Sequence, residues 1–248
     1  MRPFGWGELQ FLLLSLRWTV LLSLIAFAGG GLLGLLLAGL RISSSRLARA
    51  AVDVFVTVFQ GTPLLVQLLL FYYGASFAGL TPDALLAAAV AFTLNSGAFF
   101  GEIWRGCLQA IPAGQWDSAR ALGFRFVPAL RLVILPQALR TMAAPTVGYM
   151  VQVVKGTSVA SLIGIAELTR TAVMVNTVTF EPLRVFGTVC AAYFAICWPL
   201  SQLSDYLNRR WSARAGGGVA QAFRRPRPLR QVAQLVRNSG NSVSPPHA

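Results

Sequence analysis

Gly114-Gln115-Trp116-Asp117-Ser118-Ala119-Arg120-Ala121-Leu122-Gly123, then a basic run, then Val133-Ile134-Leu135-Pro136-Gln137, is the stretch that decides what kind of molecule this is. It is short, helix-prone and glycine-ended, and it lies between apolar blocks. Pro112 stops the preceding helix. Asp117 is expected in the first turn of a new helix, where an acid suits the helix dipole. Ala119 and Ala121 are small, so a partner surface can come close. Gly123 suits a left-handed C-cap, and the next helix is expected to start near Leu135-Pro136. By physics alone the segment is an interfacial helix or a docking knob.

The blocks around it call for lipid. The chain has 248 residues, 55% hydrophobic and only 12% charged, about half the charge of an ordinary soluble domain. Trp18 to Leu40 carries no charge over 23 residues, Val54 to Pro82 over 29, Ala84 to Gly101 over 18 and Val185 to Ser204 over 20. A membrane-crossing helix needs about 20 mostly apolar residues. These runs predict spans at about 18–40, 54–74, 84–104 and 185–205, with a fifth at 135–155 interrupted by Arg140. The apolar run after Trp18 is longer than a signal-peptide core, so it reads as a retained helix.

The net charge of +13 follows the loops. Arg41, Arg46 and Arg49 lie between spans one and two, and Arg105, Arg120, Arg125, Arg131 and Arg140 between spans three and four. Arg209, Arg210, Arg214, Arg224, Arg225, Arg227, Arg230 and Arg237 follow span five. Positive residues collect on the cytoplasmic side. The expected fold is therefore all-α and integral to the membrane, with five transmembrane helices, the N-terminus outside and the C-terminus cytoplasmic. The basic balance speaks for topology and secondarily for anionic membrane lipid, and against nucleic acid. Residues 1–17 are expected as a short outer segment, 106–137 as a cytoplasmic loop, and 209–248 as a basic, disordered cytoplasmic tail.

Polar residues inside the spans are the candidates for a path. Gln60-Gly61-Thr62-Pro63 interrupts span two, either as a kink packed on neighbours or as a lining of a watery route. Asn95 falls near mid-membrane, where a polar group tends to face a cavity, and Glu102 lies seven residues on along the same face. Glu102 either pairs with Arg105 or gates the path. Lys155, the only lysine, sits near the outer end of span four, and Gly156-Thr157-Ser158 should break the helix there. Residues 161–175, with Glu167 and Arg170 at helical spacing, read as a re-entrant or outer-surface helix capping the bundle. Gly30 and Gly34 form a small-xxx-small pair for packing within the subunit. Cys107, Cys190 and Cys197 lack metal spacing, and His247 is the lone histidine. There is no phosphate-cradling loop, carboxylate pair or nucleophile elbow, so the chain reads as a non-enzyme.

The quoted stretch resembles the EAA loop of ABC-importer permeases, E-A-A, three residues, Gly, nine residues, I-x-L-P. Asp117-Ser118-Ala119 fall on the E-A-A positions, Gly123 on the glycine, Val133 on the isoleucine and Leu135-Pro136 on the L-P. Other runs are similar to the polar amino acid branch, the histidine-, glutamine- and arginine-type permeases. These runs are Gly61-Thr62-Pro63-Leu64-Leu65-Val66-Gln67, with Gln60 where arginine is usual, Asn95-Ser96-Gly97-Ala98-Phe99, Glu102-Ile103-Trp104-Arg105-Gly106, and Lys155-Gly156-Thr157-Ser158, with Gly156 in place of an acid. The resemblance covers roughly residues 10 to 210 and implies a type I ABC-importer permease fold over 18–208. It implies an ATPase-coupling loop at Gly114, Gln115, Asp117, Ser118, Ala119, Gly123, Leu135 and Pro136. Gln60, Thr62, Asn95, Glu102, Lys155, Thr157 and Ser158 are the expected translocation-path or gate residues. It further implies a cytoplasmic ATPase dimer holding ATP and magnesium, a second permease subunit, the same or homologous, an extracytoplasmic solute-binding protein, and residence in the bacterial inner membrane. No cofactor is expected on this chain. An ATP-independent secondary transporter or channel is the competing expectation, weakened by five spans without an inverted repeat.

Overall fold

The computed structural model describes residues 3–42, 45–77, 79–80 and 83–212. The chain divides into two units, 1–208 and 209–248, and of the second only the end of a helix, 209–212, is described. The disordered tail expected there otherwise lies outside the described residues, as does His247.

The first helix, α1, runs unbroken from Trp6 to Ile42, so 6–17 is not a separate segment. Arg17 ends the uncharged run but does not end the helix. Its guanidinium sits 5.6 Å from the Trp18 ring centre, and no proline interrupts the ladder. Leu12, Ser15, Thr19, Leu22, Ala26, Gly30, Gly34 and Leu37 are buried, a stripe spaced by three and four. Leu14, Leu24, Leu32, Leu35 and Leu36 stay exposed on the other side. Apolar surface on that scale is what a helix shows to lipid rather than to water.

The stripe packs on α4 (Ala84–Gln109). Glycines set the distance. A Cβ on Gly30 would lie 2.5 Å from Ser96 Cβ, and one on Gly34 would lie 2.8 Å from Phe100 Cβ. A Cβ on Gly97 would in turn meet Leu33 Cδ2 at 2.6 Å. The small-xxx-small pair thus works inside the subunit, as its spacing predicts.

Between them lie α2 (Arg46–Gly61) and α3 (Leu64–Phe77). Thr62 and Pro63 separate them, and the pair is bent by 103°. What reads in sequence as one span is two helices meeting at more than a right angle, because proline cannot donate to the ladder and restricts the residue before it. Among the described residues four helical runs are long and apolar enough to cross a membrane: α1, α4, residues 126–163, and α9 (Pro182–Ser212). The bent pair makes a fifth when taken as one broken span.

After α5 (Ala113–Ala121), the chain re-enters helix at Phe126, earlier than the expected start near Leu135. The run passes through α6 (Phe126–Ala129), a wide π turn (Leu130–Ile134) and α7 (Leu135–Gly156) without a stop. The wide turn explains the continuity. Leu135 N–H reaches back five residues to Leu130 O, which opens the ladder where the Pro136 ring would otherwise crowd a carbonyl.

The helix also fails to break at Gly156, where φ is an ordinary −62°. It tightens into a 3-10 segment, Thr157–Ile163, and stops at Gly164, whose φ of 94° lies in the left-handed region. Residues 161–175 are therefore not one helical piece. A short 3-10 end and a loop precede α8 (Leu168–Thr179). Glu167 and Arg170 do not pair side chain to side chain. Glu167 is fully buried as the N-cap of α8, accepting from Thr169 N at 2.9 Å and Arg170 N at 2.8 Å. Burial pushes its carboxyl above the ordinary range, and the two backbone donors oppose this. Leu168 N donates to Thr19 Oγ1 at 3.3 Å, fixing α8 to the N-terminal half of α1. The cysteines are free, Cys197 buried and Cys190 exposed.

Replacing Gly30 with leucine is expected to lower stability by about 1–3 kcal/mol or more through overpacking. Gly31, with nothing within 4 Å of a Cβ, should tolerate leucine. Thermal unfolding of the two purified variants in detergent checks this; equal melting would refute the close approach.

Candidate functional site: a broken helix at a polar cavity and an exposed docking helix

The α2–α3 break leaves carbonyls at Phe59 and Thr62 without helical partners. Buried backbone groups of this kind need donors. Gln67, one turn beyond Pro63, supplies them. Its Nε2 lies 2.9 Å from Phe59 O, 3.0 Å from Thr62 O and 2.8 Å from Thr62 Oγ1, with two hydrogens shared among three acceptors. Asn95 on α4 adds a second amide, donating to Gln67 Oε1 at 3.1 Å and to Phe59 O at 3.3 Å. Tyr149 on α7 closes the set by donating its hydroxyl to Asn95 Oδ1 at 3.3 Å. Gln60 Nε2 reaches Ala98 O at 3.3 Å, tying the end of α2 to α4.

Beside this network lies a cavity of about 200 Å³ lined by Thr62, Asn95, Ser96, Phe99, Tyr149 and Gln152, among others. Typical ligand pockets run from roughly 300 to 1,000 Å³, so this one is narrow in the present conformation. Phe99 and Tyr149, both in its lining, stack on each other with ring centres 4.9 Å apart. Thr62 and Asn95 thus come together at one cavity, with Gln60 bonded beside them. The others do not join them. Lys155 is exposed at the end of α7, Ser158 bonds back to Lys155 O, and Thr157 is buried with its hydroxyl on Val154 O at 2.7 Å.

Glu102 is also elsewhere, at the end of α1 that carries Arg41. Arg41 Nη1 donates to Glu102 Oε2 at 2.7 Å and Nη2 to Asp53 Oδ1 at 2.5 Å, while Arg105 Nε donates to Glu102 at 2.9 Å. The expected Glu102–Arg105 pair is present, enlarged into a network joining α1, α2 and α4. Sequence spacing could find the i,i+3 pair but not Arg41, which is 61 residues away.

Near that end lies α5, the docking-knob candidate. It begins after Pro112, so Asp117 is its fifth residue rather than part of its first turn. Asp117 sits by Arg120 at 3.6 Å, both largely exposed. The C-terminal stop is as expected. Gly123 has φ of 81°, Gly123 N donates to Arg120 O at 2.9 Å and Phe124 N to Ala119 O at 3.1 Å, the two bonds of a Schellman cap. Trp116 stacks on Phe126 with ring centres 5.7 Å apart, and Gln137 Nε2 donates to Gln115 Oε1 at 3.1 Å.

One expectation is overturned. Ala119 is 1% exposed and faces its own chain, so it is not open to a partner. Its small side chain instead lets α5 settle on the bundle. The outward face carries Gly114, Asp117, Ser118, Ala121 and Gly123, with Leu122 76% exposed at the tip. Leu122, Gln67, Tyr149 and Arg41 are not among the candidate site residues that the sequence offers. An amide four residues after an intramembrane proline was a usable signal for Gln67; nothing local marked the rest.

Apolar outer faces, a broken helix at a small polar cavity and a capped helix presented at one end are the build of a membrane transport subunit. The chain belongs to the family described as binding-protein-dependent transport system inner membrane component, whose model matches residues 30–214. It is similar to the L-cystine transport system permease protein TcyB of Bacillus subtilis (strain 168), 35% identical over 197 residues covering 79% of this chain and 84% of that one. It is 34% identical to the glutamine transport system permease protein GlnP of Escherichia coli (strain K12) over 207 residues, 83% of this chain and 94% of that one. A solved structure of an amino acid ABC transporter with histidines superposes with a TM-score of 0.77 at 33% identity, covering 81% of this chain and 94% of that one. The chain is thus a transport permease subunit, and these likenesses favour that reading over an ATP-independent carrier.

Ala119→Asp is expected to bury an unpaired carboxylate and loosen α5 by about 1–3 kcal/mol or more. Hydrogen exchange across 113–121 should rise in that variant and stay unchanged in Ser118→Asp, which is exposed. Equal exchange in both would place Ala119 outside the contact.

Proposed function

We propose that this chain is the permease of an ATP-driven, binding-protein-dependent importer for a polar amino acid or a related solute, working by alternating access in the bacterial inner membrane. The observation that carries the proposal is α5, a capped helix stacked onto the bundle through Trp116 with Leu122 presented outward. It lies in a family member whose sequence holds no nucleotide-binding loop. Energy then comes from a partner. A cytoplasmic ATPase dimer holds ATP and magnesium and receives α5 in a groove, and this chain binds no cofactor of its own. A second permease, the same or homologous, completes the membrane part, and a solute-binding protein delivers cargo from outside.

The arginines support the orientation. Arg41, Arg46, Arg49, Arg105, Arg120, Arg125 and Arg131 flank the α1–α2 turn, the end of α4, and the α5 and α6 segments. With that side cytoplasmic, the N-terminus is outside, the bent α2–α3 pair counts as one of five spans, and α8 caps the outer half of α1. The cavity at Thr62, Asn95 and Tyr149 is then part of the route. A ligand shifts an equilibrium only through differential affinity for its two states. ATP supplies that difference through α5, and the amide network gives the route polar groups that can rearrange. Names of relatives point to amino acids and their derivatives as the cargo class.

Leu122→Asp and Gly123→Asp should each lower ATP-dependent uptake at least tenfold while the protein stays in the membrane, and should lose the ATPase on co-purification. Normal uptake by both, with the ATPase bound, would sink the coupling role. Asn95→Leu should assemble normally yet change how much the liganded binding protein stimulates ATP hydrolysis. An unchanged response would remove Asn95 from the route.

A further inference from the structure

A second and larger cavity, about 540 Å³, lies at the Arg41 end and is separate in its lining from the one at Asn95. Six elements contribute to it, α1, α2, α4, α5, α6 and the π turn. Arg41 comes from α1, Arg49 and Asp53 from α2, Arg105 from α4, and Trp116 from α5. Its apolar side is formed by Leu108, Ile111, Phe126 and Leu130. At about 540 Å³ it falls within the size range of ligand pockets.

The charges do not cancel. Asp53 and Glu102 occupy donors of Arg41, and Glu102 also holds Arg105. Those two acids leave a third cation, Arg49, which has no ion pair among the described residues and is exposed toward the cavity it lines. Arg41 Nε, buried, has no acceptor among the described residues either. A site with one uncompensated guanidinium, beside two that are already held by acids, and an apolar wall suits a ligand that is anionic at one end and apolar at the other. Guanidinium forks match phosphate geometry.

We infer that this cavity holds a phosphate group with an apolar extension, and that its occupant braces α5 through the Trp116 wall. The headgroup of an acidic phospholipid is one source of that chemistry, since the cavity sits at the arginine-rich end of the spans, where anionic headgroups are drawn to basic residues. A soluble phosphate ester is the other. The inference rests on the proposed orientation and on α5 as the docking helix, and deepens that reading by making coupling sensitive to phosphate-bearing ligands.

The test uses the full-length permease purified with its ATPase in nanodiscs of mixed phosphatidylglycerol and phosphatidylcholine. Lipids retained on release are counted by native mass spectrometry. Retention of phosphatidylglycerol over phosphatidylcholine is expected, about fivefold weaker in Arg49→Gln. Ala38→Phe, which fills the cavity from α1 without touching a charge, should lower it too. Stabilisation of the wild type by millimolar glycerol phosphate, absent in Arg49→Gln and without lipid preference, would assign the soluble source. No preference together with no phosphate response would overturn the inference. So would retention unchanged in both variants, or retention seen only after the ATPase is stripped away. Uptake is measured in parallel, and because lipid retention requires no transport, failure of either reading is distinguishable from failure of the other.

Discussion

Close approach of α1 and α4 is the constraint on which the rest depends. Gly30 and Gly34 on one side and Gly97 on the other bring two backbones together where a Cβ would collide, and Gly101 sits in tight contact with the same face. In lipid there is no hydrophobic drive to bring helices together, so contact area at short range has to supply it. The arrangement fixes α4 as the inward helix, with Ala87, Ala88, Ala91, Asn95, Ser96 and Phe100 all buried. Both sites follow from it. Asn95 is turned toward the α2–α3 break, and Glu102 comes within reach of Arg41.

The break is the second element of the design. Pro63 separates α2 from α3, and Gln67 and Asn95 place amides against the freed carbonyls. Such a network is firm when fully satisfied and costly when partly so. Tyr149 brings α7 into the same set, and α7 continues through the wide turn at Leu130–Ile134 to the segment that holds α5. One helical run from Phe126 to Gly156 thus carries both Tyr149 at the cavity and the ring on which Trp116 of α5 stacks.

Much of this was legible residue by residue. The apolar runs marked where helices lie, Gly123 marked a left-handed stop, Pro63 a break, and Gly30 with Gly34 a packing face. What was misread shares one cause. The end of the 1–17 segment, Leu135-Pro136 and Gly156 each read locally as boundaries. The helix continues past all three because a guanidinium can rest on Trp18, a π turn makes room for proline, and glycine keeps helical φ when its neighbours do. Ala119 was misread for a related reason, since smallness allows approach from either side and only packing says which.

The membrane class, the run of apolar helices, the cap that ends α5 and the family to which the chain belongs are all legible in the sequence. Those properties are local or periodic, and hydropathy, glycine and proline carry them without reference to distant residues. Tertiary structure alone decided that Ala119 turns inward and Leu122 outward, that Gln67 and Tyr149 join Asn95, and that Arg41 bridges Asp53 and Glu102. The amide network and the Arg41 bridges need groups far apart in the chain to be held within about 3 Å, and the turn of α5 needs its packing, none of which spacing along the chain sets.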